Sequence, residues 1–132
     1  MTETVHFGEH ITIDGYGGNE ALLDSQENVL KTINGLVTLL GMKLLAQPNV
    51  YHADSNNKKD PGGWTGVAVI MESHISIHTF PKRGFLSADV YTCKNGLNAE
   101  VITSYFIDSF GLKDIEKNFL IRGNKYPNSN IY

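Results

Sequence analysis

Gly66-Val67-Ala68-Val69-Ile70-Met71-Glu72-Ser73-His74-Ile75-Ser76-Ile77-His78-Thr79-Phe80-Pro81 decides how this chain folds. Its first six residues are nearly all apolar, which marks a strand covered on both sides or lying at an interface. The remainder packs two serines, two histidines and a carboxylate into a run that otherwise reads as strand. No turn signal separates the two halves. Pro81-Lys82-Arg83-Gly84 then makes a turn, and Phe85 to Thr92 returns as another strand.

Upstream, Val5 to Asp14 alternates as a strand, with Val5, Phe7, Ile11 and Ile13 on one side. Gly15-Tyr16-Gly17-Gly18-Asn19 ends it. Asp24-Ser25-Gln26-Glu27 reads as a capping box with Asp24 as N-cap. Val29, Leu30, Ile33, Leu36, Val37 and Leu40 recur at helical spacing, which predicts a helix over about 25–40 that Gly41 stops. Lys43 to Tyr51 is expected to be a strand ending near Pro48. His52 to Gly63 is a polar loop built around Asp54-Ser55-Asn56-Asn57-Lys58-Lys59. Downstream, Lys94-Asn95-Gly96 breaks the strand. Asn98 caps a second helix, Ala99 to Phe110, with Val101, Ile102, Tyr105, Phe106 and Ser109 inward and Gly111 as its stop. Ile115 to Arg122 is the last strand, and Pro127-Asn128-Ser129-Asn130 a loose tail.

Hairpin connections near 52–63 and 81–84 imply antiparallel neighbours. The chain, 132 residues long, is expected to be one α+β domain. Its architecture would be a two-layer sandwich, a mainly antiparallel sheet with two helices on one face. The uncovered sheet face points to a homodimer. With 11 basic against 14 acidic residues, the charge gives no argument for nucleic acid or an anionic membrane. The one cysteine, Cys93, excludes an internal disulfide and suits a reducing compartment. Met1-Thr2-Glu3-Thr4 lacks the pattern of a signal peptide, and no apolar run spans a membrane. A cytoplasmic location is expected.

The polar stretch admits several chemical readings. It can be an ordinary strand with a wet face. A metal site on His74 and His78 is disfavoured, because four residues of strand separate their α-carbons by ~13 Å and no carboxylate or thiol sits at a supporting spacing. A nucleophile built from Cys93 and a histidine is a third reading.

Taken together, Glu72-Ser73-His74, His78 five residues after the serine and Cys93 twenty after it resemble the prokaryotic S-adenosylmethionine decarboxylase family. Thr65-Gly66-Val67, Asp14-Gly15-Tyr16-Gly17 and Arg122-Gly123 extend the resemblance over nearly the whole chain. It implies self-cleavage between Glu72 and Ser73 into residues 1–72 and 73–132. Ser73 attacks the preceding carbonyl, the amide becomes an ester, and elimination and hydrolysis leave a pyruvoyl group, the only cofactor implied. Its carbonyl would form a Schiff base with the substrate amine and take up the electrons left by CO₂. His78 would be the base in processing and Thr65 a hydroxyl assisting it. Cys93 would return a proton to the substrate carbon. His74 would lie beside the pyruvoyl, shaping the site or making a structural hydrogen bond. Ser76 is read as structural.

The implied product is the decarboxylated aminopropyl donor of spermidine biosynthesis. The family turn is aromatic-Pro-Glu; here it is Phe80-Pro81-Lys82, so Phe80 and Lys82 join His74 as the candidate substrate contacts, and Lys82 inverts the expected charge. A pyruvoyl decarboxylase acting on arginine or ornithine is the alternative, and a non-catalytic regulatory subunit another. Tyr51 and Trp64 could stack on a purine. Ser73 and His78 differ in strand parity. The family chemistry therefore requires a kink between them or a strained turn at Glu72-Ser73.

Overall fold

The computed structural model describes residues 6–56 and 58–127. Val5, Asn57 and positions 128–130, read above as strand, loop and tail, lie outside them. Six strands form one sheet: β1 (Gly8–Tyr16), β2 (Asn49–Ala53), β3 (Gly63–Ile70), β4 (Ser73–Phe80), β5 (Phe85–Thr92) and β6 (Asp114–Arg122). Their order is β2-β3-β4-β5-β1-β6, and every pairing is antiparallel. Three helices connect them: α1 (Glu20–Leu23), α2 (Gln26–Leu39) and α3 (Ala99–Phe110). The α+β sandwich expected from the sequence is the fold, with α1 as an added single turn.

The core lies between α2, α3 and one sheet face. Ile75 and Ile77 of β4, Ile11 and Ile13 of β1 and Val90 of β5 bury completely against Ile33, Leu36, Ile102 and Phe106. Period-2 alternation sends these residues down and His74, Ser76 and His78 up. Gly66 permits the approach of α2, since a β-carbon there would come within 2.7 Å of Ile33 and 2.9 Å of Val29.

Three expectations are corrected. Ser25, not Asp24, is the N-cap of α2, its hydroxyl accepting the Asn28 N–H at 3.0 Å. Asp24 instead accepts the Trp64 indole N–H at 3.0 Å. Residues 43–48 form no strand; only Leu44 bridges to Ile70, and Pro48 delays β2 to Asn49. Leu30 and Val101 face outward, while Thr32 and Thr103 are buried in their helices. On β3, helices cover one side, and Val67 and Val69 stay 39% and 47% exposed on the open face; of the two readings given for this strand, cover on both sides within the chain is the one excluded.

Candidate active site

The long apolar-polar run is two strands, not one. Ile70 pairs directly with Ser73, so Met71 and Glu72 alone make the turn. Neither is the Gly, Asn or Asp that two-residue hairpins favour. The cost appears one residue later. Ser73 has φ 154°, and no other non-glycine residue has a positive φ among the described residues. Backbone held there stores ~1–3 kcal/mol and persists only where its surroundings enforce it. Lys43 grips the turn from one side, its carbonyl accepting the Met71 N–H at 2.9 Å, and Cys93 from the other. From Ser73 to Phe80 the strand is regular.

The Glu72 carbonyl accepts the Cys93 backbone N–H at 2.9 Å. A donor there draws electron density from the carbonyl carbon that the Ser73 hydroxyl would attack. The same register sets Ser73 opposite Thr92, and Cys93, which is exposed, follows immediately. Lys94 lies 3.8 Å from Glu72 Oε1. Glu72 Oε2 is buried and has no partner among the described residues.

Thr65 and His78 form a second centre. They face each other across β3 and β4, with Thr65 Oγ1 3.2 Å from His78 Nδ1. Five residues of strand separate His78 from Ser73, ~16 Å along β4. The expected partners are therefore brought together as two pairs, Ser73 with Cys93 and Thr65 with His78, at opposite ends of one strand. Within one chain His78 does not reach Ser73.

Between them stands a cluster that the sequence did not disclose. Asp89 accepts hydrogen bonds from the Ser76 hydroxyl and, at 2.6 Å, from His10 Nε2; His74 Nε2 is 3.3 Å away. Burial raises the Asp89 pKa, but the Ser76 hydroxyl and the two imidazoles outweigh it and hold it below the usual carboxylate range. The three residues His10, His74 and Asp89 offer ligand atoms within 4.8 Å of one another, so a carboxylate does stand near His74, supplied by β5. Arg122 argues against a cation. Its Nη1 lies 3.0 Å from His10 Nδ1. A guanidinium can only donate, so Nδ1 accepts and the ring proton sits on Nε2, facing Asp89 rather than a metal. Arg122 also covers the Tyr91 ring, 5.0 Å from its centroid.

Because the Asp89 pKa is lowered by folding, its contribution is complete above the ordinary carboxylate range and is lost as pH falls through the lowered value. Asp89→Asn is expected to cost ~1–3 kcal/mol at neutral pH. That gap should narrow below about pH 4, which denaturant titrations of both chains would read. A constant gap down to pH 3 would contradict the charged network.

Beyond His78 the open face turns aromatic. The Phe80 and Phe85 rings meet at a tilt with centroids 5.5 Å apart, and Phe85 and Tyr16 likewise at 5.4 Å. With Lys59, Asp60 and Arg83 they border an open cavity of ≈ 540 Å³. Tyr16 donates to Glu116, which with burial and nearby carboxylates lifts its phenol to about 12. Lys82 does not line this cavity. It borders a smaller cleft with Asp24 and His52 and pairs with Glu20 at 3.3 Å. The charge inverted at Lys82 thus meets an acid from α1, in an exposed pair worth at most ~1 kcal/mol. Tyr51 is exposed on β2, outside this cavity.

Comparison with known proteins adds the following. The family model described as S-adenosylmethionine decarboxylase matches residues 9–123. The S-adenosylmethionine decarboxylase proenzyme of Clostridium botulinum (strain Langeland) is 30% identical over 116 residues, covering 88% of this chain and 94% of that protein. The proenzyme of the same name from Methanococcus aeolicus is 35% identical over 95 residues, 72% of this chain and 75% of that one. The crystal structure of the adenosylmethionine decarboxylase from Aquifex aeolicus superimposes with a TM-score of 0.77 at 32% identity, covering 90% of this chain and 92% of that one.

Proposed function

This chain belongs to the S-adenosylmethionine decarboxylase family, and we propose that it is a carboxy-lyase acting on S-adenosylmethionine through a pyruvoyl group made from its own Ser73. The observation that carries this reading is the Glu72-Ser73 junction. A strained serine follows a carbonyl that already accepts an N–H from Cys93, and the residues present fit a group formed at that point.

In the proposed processing, Ser73 Oγ bonds to the Glu72 carbonyl carbon and the bond to the Ser73 nitrogen breaks, leaving an ester. Loss of the Ser73 α-proton expels the ester oxygen with Glu72 as its new terminal carboxylate. Water then replaces the nitrogen, released as ammonia. The ketone so formed supplies an electron sink that no natural side chain offers. Cys93, beside the junction, holds the proton returned to the substrate carbon. His78 takes the hydroxyl proton, with Thr65 fixing its ring.

Since His78 lies ~16 Å from Ser73 in its own chain, the reading requires two chains. Laid open face to open face with β4 strands antiparallel, each copy offers its Thr65-His78 end to the other's Ser73-Cys93 end. The same arrangement covers Val67, Val69 and Met71, three of the exposed apolar side chains of this face. It also brings the Tyr16, Phe80 and Phe85 cavity to the partner's reacting centre, where aromatic faces suit a purine.

The substrate test is CO₂ release from carboxyl-labelled S-adenosylmethionine, arginine and ornithine in parallel. Turnover is expected with S-adenosylmethionine alone, in line with the named relatives. Release from arginine or ornithine and none from S-adenosylmethionine would overturn the assignment.

A further inference from the structure

We propose that Glu9 is a positioning residue for Cys93, its buried carboxylate clamping the turn that carries the thiol. The inference rests on the reading of Cys93 as the proton donor. Glu9 opens β1 on the helix-covered side and is 6% exposed. A charge so placed needs partners for its oxygens. Oε1 accepts the backbone N–H of Gly96 at 3.0 Å and of Leu97 at 2.9 Å, and Oε2 lies 3.1 Å from His6 Nε2. Burial pushes the Glu9 pKa up, but these donors outweigh it and keep it below the usual range.

The turn after β5 is tied at three points. The Cys93 N–H holds the Glu72 carbonyl. The Thr92 hydroxyl accepts the Lys94 N–H at 3.0 Å. Glu9, opposite Thr92 in the β1–β5 register, holds Gly96 and Leu97. The fit leaves no slack beside Glu9, for a β-carbon on Gly8 would meet the Thr92 carbonyl oxygen at 2.5 Å. Cys93 is itself exposed, so packing within the chain does little to fix its side chain. The anchors of its turn therefore decide where the thiol points. Removing the Glu9 acceptor leaves the Gly96 and Leu97 amides without their partner. The turn then opens, while the Cys93–Glu72 bond, which follows directly on the last β4–β5 pair, stays.

The test uses Glu9→Ala and Glu9→Gln in the full chain, each also combined with Ser73→Ala. In the Ser73→Ala chains, Cys93 is alkylated with iodoacetamide, a readout independent of cleavage and turnover. Glu9→Ala is expected to raise the alkylation rate several-fold and Glu9→Gln to restore it, since the amide oxygen can still accept both N–H groups. In the processed enzyme, Glu9→Ala should cleave normally, with kcat lowered about tenfold or more and KM within about twofold. Should Glu9→Ala not fold, Glu9→Asp carries the same test, because it withdraws the oxygens by one methylene and keeps the charge. Unchanged alkylation and unchanged kcat in a folded variant would overturn the clamp. So would a Gln variant as impaired as Ala, or a loss confined to KM. If the wild-type chain does not cleave at all, the pyruvoyl reading fails while the alkylation result still decides the clamp.

Discussion

Ser73→Ala is expected to leave the chain whole at 132 residues and to release no CO₂ from any substrate. The argument is chemical before it is structural. Only a hydroxyl at this position can attack the Glu72 carbonyl, and only its elimination can leave a ketone at the new terminus. Alanine supplies neither, and the Cys93 N–H on the carbonyl has no nucleophile to assist. Cys93→Ala separates the two stages. It keeps the backbone N–H and so should cleave at Glu72-Ser73. Turnover should fall by about 10²–10⁴, the usual contribution of a positioned proton donor. Equal loss of cleavage and turnover in Cys93→Ala would contradict the division of roles.

Co-expression of Ser73→Ala with His78→Ala is expected to restore cleavage that neither chain performs alone. Each site is proposed to take Ser73 from one chain and His78 from the other. In the mixed dimer one site receives both alanines and is dead. The second combines the intact Ser73 of the His78→Ala chain with the intact His78 of its partner. The His78→Ala chain alone should then split, up to about half the wild-type site number, whereas Ser73→Ala stays whole. The prediction follows from the ~16 Å of strand between the two residues. If the sites were complete within one chain, mixing would restore nothing.

The sequence exposed the strands better than the corners. From Ser73 to Phe80, alternation of Ile75 and Ile77 with polar residues is a direct consequence of burial on one face, and it survives folding unchanged. The turn at Met71-Glu72 carries no turn residue, because the strain is borne by Ser73 beyond it. Asp24 and Ser25 are both good caps, and only tertiary contact with Trp64 decides between them. The four residues of α1 are too few for a helical period. Ser73, Cys93, Thr65 and His78 are visible as a family spacing, yet their division into two distant pairs is a matter of register. The cluster of His10, Ser76, His74, Asp89 and Arg122 draws on β1, β4, β5 and β6. No spacing along the chain foretells it. Glu9 is hidden for the same reason, since its partners Gly96 and Leu97 are brought in by the β1–β5 register.

Lys82 carries the inverted charge and pairs with Glu20, outside the open cavity that Arg83, Phe80 and Phe85 border. The junction at Glu72-Ser73 carries the central claim instead.

That claim is met most directly by the intact mass of the purified wild-type chain under denaturing conditions. Two fragments are expected, residues 1–72 and 73–132, with the second blocked to Edman degradation. A single uncleaved chain, or a second fragment that begins with a free serine, would contradict it.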